Sequence, residues 1–120
     1  MLRTFGLAAP LVAAMLSLVL AGPGSAAPKK LAGTVGPGFT IRLNFSGAPV
    51  TRLKAGQYRL AVSDRSSIHD FRITGPGVNK VVTSVPFSGT NSVLLALKKG
   101  VYTFVCDPHA SVMHGTFRVG

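Results

Sequence analysis

Four side chains in this sequence carry donor atoms that belong together chemically: His69, Cys106, His109 and Met113. The last three share the segment Tyr102-Thr103-Phe104-Val105-Cys106-Asp107-Pro108-His109-Ala110-Ser111-Val112-Met113-His114-Gly115-Thr116-Phe117, while His69 lies far upstream. A thiolate, two imidazoles and a thioether form a soft donor set. Two imidazoles and a thiolate in a plane, with a long and weak thioether on the axis, suit one copper ion cycling between Cu(I) and Cu(II). Zinc favours a tetrahedral set drawn from Cys, His and carboxylate, without a thioether. Taken singly, each residue has a plainer reading. An inward histidine is commonly a hydrogen-bonded core residue, a buried methionine commonly fills space, and an unpaired cysteine commonly acts as a small hydrophobe. On one short loop, joined by an inward histidine from another strand, those plainer readings are hard to sustain together.

Cys106 is the only cysteine, so no internal disulfide can form. It is a packed core residue, half of an intermolecular bridge, or a reactive or metal-bound thiolate. The N-terminal segment makes the question sharper. Arg3 precedes an almost unbroken apolar run, Leu7 to Leu20, followed by the small residues Ala21-Gly22-Pro23-Gly24-Ser25-Ala26-Ala27. That is the order of a secretory signal peptide spanning residues 1–26, cut after Ala26 or alternatively after Ala21. A retained membrane anchor is the competing reading, but the run is short, contains Pro10 and lacks a positive stop. No cysteine lies near, which excludes a bacterial lipid anchor there. Export to the periplasm or the extracellular space places the lone thiol in an oxidising compartment, where metal coordination would protect it.

The remaining residues, 27–120, are enough for one domain and too few for two. The chain has 13 Lys and Arg against 3 Asp and no Glu, a formal net charge of +10. Such a balance favours acidic partners. The basic residues are scattered singly through apolar alternation, with no basic run interleaved with aromatics, which argues against nucleic acid as the partner.

The donors fall on or beside candidate strands. Phe39, Ile41 and Leu43 recur at every second position and share one face of a candidate strand, with Thr40 and Arg42 on the other. The same spacing holds for Tyr58, Leu60 and Val62, then Phe71 and Ile73, then Val93, Leu95 and Leu97, then Tyr102 and Phe104, then Phe117 and Val119. A period of two marks strands with one buried face. Leu31 to Val35 and Val50 to Lys54 give weaker strand signals. Turn signals separate these runs, among them Gly36-Pro37-Gly38, Ser46-Gly47-Ala48-Pro49, Gly75-Pro76-Gly77 and Lys98-Lys99-Gly100. No segment has convincing helical amphipathicity. Seven to eight short strands at this spacing predict an all-β antiparallel sandwich, with Gly75 to Asn91 expected as a long connection between the sheets. Strand parity places Cys106 inward with Tyr102 and Phe104, and His69 inward with Phe71 and Ile73.

At these residues the sequence resembles a known family. Cys106-Asp107-Pro108-His109, then Met113, then Gly115-Thr116-Phe117-Arg118-Val119, is similar to the ligand loop of the plastocyanin, pseudoazurin and amicyanin group of cupredoxins. His69-Asp70-Phe71 resembles the upstream ligand strand of that family, which often reads His-Asn-Phe. The resemblance runs from about Gly33 to the C-terminus. It implies a Greek-key sandwich with one type 1 (blue) copper near one end, held by His69, Cys106, His109 and Met113. The three residues between His109 and Met113 are one fewer than in plastocyanin or pseudoazurin and one more than in amicyanin. His114 follows Met113 directly and competes for the axial place, but adjacent residues of an extended stretch point oppositely. The resemblance further implies that the backbone N–H of Asp70 faces the cysteine sulfur and that its side chain braces the ligand loop. With Asp107 beside the thiolate and Pro108 lacking an N–H, a low reduction potential is expected.

The function that follows is an exported, monomeric, diffusible one-electron carrier, docking transiently with an acidic redox partner and without stable membrane insertion once the leader is removed. Its electrons would pass through an exposed edge of His109. An enzyme is not expected: multicopper catalysis needs further histidine pairs such as His-x-His, and the chain has 3 His in all. Two rival readings remain. One is a copper-handling protein for storage, scavenging or delivery, for which Met113-His114 gives a foothold. The other is a metal-free adhesive sandwich with Cys106 bridging two chains.

Overall fold

In the computed structural model the described residues are Gly6 and 27–120, so the expected leader, Gly6 apart, lies outside them. No helix among them is long and apolar enough to cross a membrane. Alternating apolar residues fold these residues into ten strands: β1 (Lys29–Val35), β2 (Ile41–Phe45), β3 (Ala48–Pro49), β4 (Arg52–Leu53), β5 (Gly56–Asp64), β6 (Phe71–Gly75), β7 (Val78–Thr83), β8 (Gly89–Leu97), β9 (Gly100–Val105) and β10 (His114–Val119). β3 and β4 are two-residue strands, which leaves eight longer ones, in line with the count expected from periodicity.

The strands form two five-stranded sheets, ordered β3-β2-β1-β5-β8 and β4-β10-β9-β6-β7. Most neighbours are antiparallel. β1 runs parallel to β5 over seven register pairs, from Lys29 with Tyr58 to Val35 with Asp64, and β4 runs parallel to β10. Between the sheets lies one core, which includes Leu31, Val35, Leu43, Tyr58, Leu60, Phe71, Ile73, Leu95, Tyr102, Phe104 and Phe117. Burial of this apolar area is the main stabilising contribution. Aromatic pairs order it: Phe71 stacks on Phe104 with centroids 6.0 Å apart, and Tyr102 stacks on Phe117 at 5.3 Å.

Two expectations are corrected. Gly75 to Asn91 is not a long connection, because Val78–Thr83 pairs back on β6 as a hairpin around Pro76-Gly77. The strand was hard to see because only Val82 and Thr83 of its residues are buried, so no alternation develops. Phe39 does not share a buried strand face with Ile41 and Leu43. It lies before β2 and is 59% exposed.

Candidate metal centre

His69, Cys106 and His109 come from two elements that meet at one end of the sandwich. His69 is two residues before β6, and β6 pairs with β9 through Arg72–Val105, Ile73–Phe104 and Thr74–Thr103. That register sets the start of β6 beside the end of β9, where Cys106 follows. Beyond Cys106 the chain makes a short 3-10 turn, Asp107–His109, with Pro108 in its first positions. The turn carries His109 back over the sulfur. Its backbone is tied: His109 N–H donates to the Cys106 carbonyl at 3.1 Å, and Met113 N–H to the His109 carbonyl at 2.9 Å. Cys106 N–H donates to the Met113 carbonyl at 3.0 Å, closing the loop at the start of β10.

Among the described residues these three are the group of His, Cys and acidic side chains able to hold a metal. Nδ1 of His69 and Nδ1 of His109 lie 3.0 Å apart, and the Cys106 sulfur is 3.7 Å and 3.6 Å from them. A point equidistant from the three atoms lies about 2.0 Å from each, close to the metal–nitrogen and slightly short of the metal–sulfur lengths of about 2.0–2.3 Å for first-row ions. The donor spacing therefore fits one metal ion, which His69, Cys106 and His109 would hold together. The histidine tautomer agrees. Nε2 of His69 is 2.8 Å from the Gly38 carbonyl, which can only accept, so that nitrogen carries the proton and Nδ1 offers its lone pair inward.

Cys106 and His69 are fully buried and His109 is half-buried. Without a cation, burial pushes the Cys106 thiol up, while the backbone N–H groups of Asp70 and His109 beside the sulfur pull it back. The thiolate of Cys106 would be favoured if a cation were held beside it, opposing the burial effect. Met113 is completely buried in the same core cluster, whereas His114 is exposed and donates from Nδ1 to the Ala110 carbonyl at 2.8 Å. The adjacent pair thus points in opposite directions, and His114 stands apart from the cluster.

The surrounding residues refine the electrostatic expectation. Asp70 accepts the Asp107 N–H on Oδ1 at 2.6 Å, so its side chain braces the ligand turn. Burial raises its carboxyl above the ordinary range, and a side-chain hydrogen bond with Asp107 adds to the rise. Asp107 is not a free negative charge: Arg72 Nε donates to its Oδ2 at 2.8 Å. One residue had no signal in the sequence. Phe39 sets its ring edge-on against both imidazoles, 5.5 Å from His69 and 4.9 Å from His109. The Gly36-Pro37-Gly38 turn is visible in the sequence, but its partner strand is not, and period-two alternation assigned Phe39 to the core.

The sequence profile of the copper binding proteins of the plastocyanin/azurin family matches residues 54–120. The chain belongs to this family of cupredoxins, and the site described above defines it as a blue-copper protein with one copper per chain. Solved structures share the fold. Reduced rusticyanin aligns at 19% identity over 79% of this chain and 82% of that one, with a TM-score of 0.55. Rusticyanin from Thiobacillus ferrooxidans gives 17% identity, 76% of each chain and 0.53. A heme-copper terminal oxidase dimer gives 18% identity, 84% of this chain, 69% of that chain and 0.53. No curated protein matches the sequence significantly.

Proposed function

We propose that this protein is an exported one-electron carrier whose copper would be held by His69, Cys106, His109 and Met113. The observation that carries the reading is the triangle of Nδ1, Nδ1 and sulfur atoms, prearranged by backbone hydrogen bonds on both sides. Copper in such a set supplies reversible one-electron transfer, and a frame that holds its donors still limits the rearrangement between oxidation states. His69 is locked by the Gly38 carbonyl, and the turn bearing His109 by Cys106 and Asp70. His109 reaches partial exposure, and Phe39, Ile68 and Val112 are exposed apolar residues in the loops that carry the site. That supports electron exchange at this end with a transiently docked acidic partner, steered by the basic surface. A copper-handling role would favour an open site. The burial of Cys106, His69 and Met113 and the outward turn of His114 favour the carrier instead.

The test adds Cu(II) to the purified protein and records visible and electron paramagnetic resonance spectra, followed by voltammetry. An intense thiolate-to-copper band, lost in Cys106→Ser, together with a reversible one-electron wave is expected. A colourless complex would sink the carrier reading.

A further inference from the structure

A second site lies against the outer side of the loop that holds His69. Thr34, Gly36, Pro37, Thr40, Arg42 and Arg65 line a surface cavity of ≈ 330 Å³. Strand parity explains the convergence. Thr34 of β1 is the register partner of Arg42 on β2 and of Ser63 on β5, so Arg42 rises on one flank of β1. On the other flank, Arg65 N–H donates to the Val35 carbonyl at 2.9 Å, which brings Arg65 alongside Gly36. Both arginines are exposed.

No carboxylate answers them. Asp64, next to Arg65, points to the opposite face of the sheet, 2% exposed, with Oδ1 taking the Ser66 N–H. Among the described residues the one ion pair is Arg72 with Asp107, on the other sheet. Two cations sharing one concavity repel each other, and an anion bound between them removes that cost. Guanidinium groups match the oxygen pairs of carboxylate, sulfate and phosphate, which a lysine pair would not do as specifically.

We propose that this cavity is an oxyanion site in which Arg42 and Arg65 bind a carboxylate, sulfate or phosphate group. Its wall is shared with the copper end: a Cβ placed on Gly36 would lie 3.6 Å from Cδ2 of His69. The proposal does not depend on electron transfer, because the cavity is lined by β1, β2, the loop between them and the residue after β5, and by none of the donors.

The test is a heteronuclear NMR titration of the full chain, both metal-free and loaded with Cu(I). Sodium sulfate and a hexaglutamate peptide are the probes, and sodium chloride at matched ionic strength is the reference. Saturable shifts are expected at the amides of Thr34, Gly36, Thr40, Arg42 and Arg65. Arg42→Ala and Arg65→Ala should each weaken binding about tenfold, the loss of one charge-assisted contact. Arg59→Ala, an exposed arginine of β5 outside the cavity, should leave affinity within about twofold. Sulfate binding at least as tightly as the peptide identifies a free inorganic ion as the ligand, and tighter peptide binding identifies an acidic chain. Shifts that chloride reproduces, or an Arg59→Ala variant as impaired as Arg42→Ala, would overturn the site in favour of diffuse surface charge.

Discussion

Met113 and His114 are neighbours with opposite fates, and the difference is measurable. His114→Ala should leave the charge-transfer band and the reduction potential unchanged, because its ring is outside the donor cluster and bonded to Ala110. Met113→Leu should retain the band, which arises from the thiolate, and raise the potential, since a weak donor to Cu(II) is lost. A variant at His114 that shifts the spectrum would reverse the assignment. Asp70 offers a second residue-level test. Asp70→Asn keeps an oxygen to accept the Asp107 N–H while removing a potential negative charge near the copper. The potential should rise, because removing a negative charge near the copper weakens the preference for Cu(II) over Cu(I). A voltammetric shift in the other direction would show that the brace, not the charge, sets the potential. Asp107→Asn should have the smaller effect, because Arg72 already offsets its charge.

At the scale of elements, the hairpin of β9 and β10 carries the site and is closely packed. A Cβ at Gly115 would run into the Phe104 ring, its register partner across the hairpin. Gly115→Ala should therefore cost about 1–3 kcal/mol of stability through overpacking, read as a lower denaturant midpoint in the metal-free protein. An unchanged midpoint would mean that Phe104 yields freely. The sequence made these elements legible where one face is buried and the other wet, as in β5, β9 and β10. β7 escaped because Val78 to Val81 are exposed or half-exposed, leaving nothing to alternate. The site was legible where strand parity governs: Cys106 and His69 follow the inward phase of β9 and β6. What reached the site across sequence distance was not. Neither the carbonyl of Gly38 nor the ring of Phe39 has a local pattern, and the family profile begins only at residue 54. The Arg72–Asp107 pair likewise required knowledge of the β6–β9 register.

The whole molecule has a pH dependence with a definite sign at the alkaline end. Tyr58 is buried, donates its hydroxyl to the Lys54 carbonyl at 2.7 Å, and burial raises its pKa above the ordinary 10.0. The folded chain then keeps a proton that the unfolded chain releases, so this stabilisation is complete below about pH 10 and is lost as pH rises through the folded pKa. Tyr58→Phe should flatten that part of the alkaline stability curve in thermal melts. An identical slope in both proteins would assign the loss elsewhere. Charge also acts globally. With a net +10, the rate of electron exchange with an acidic partner should fall steeply as salt rises from low ionic strength, while exchange with a neutral small-molecule oxidant should not. Equal salt sensitivity for both would remove the steering argument.

The acceptor that fixes the His69 tautomer is a backbone carbonyl, and this bears on how the site withstands genetic drift. No single codon change can delete a carbonyl oxygen, so the anchor is insensitive to what side chain stands at its own position as long as the chain keeps its path. That path is where the vulnerability lies. Gly36 and Gly38 adopt φ of 69° and 71°, a left-handed region that side chains disfavour. Selection on the copper tautomer therefore falls on two residues that donate nothing to the metal, while Asp70, which braces by its side chain, is open to loss in one step.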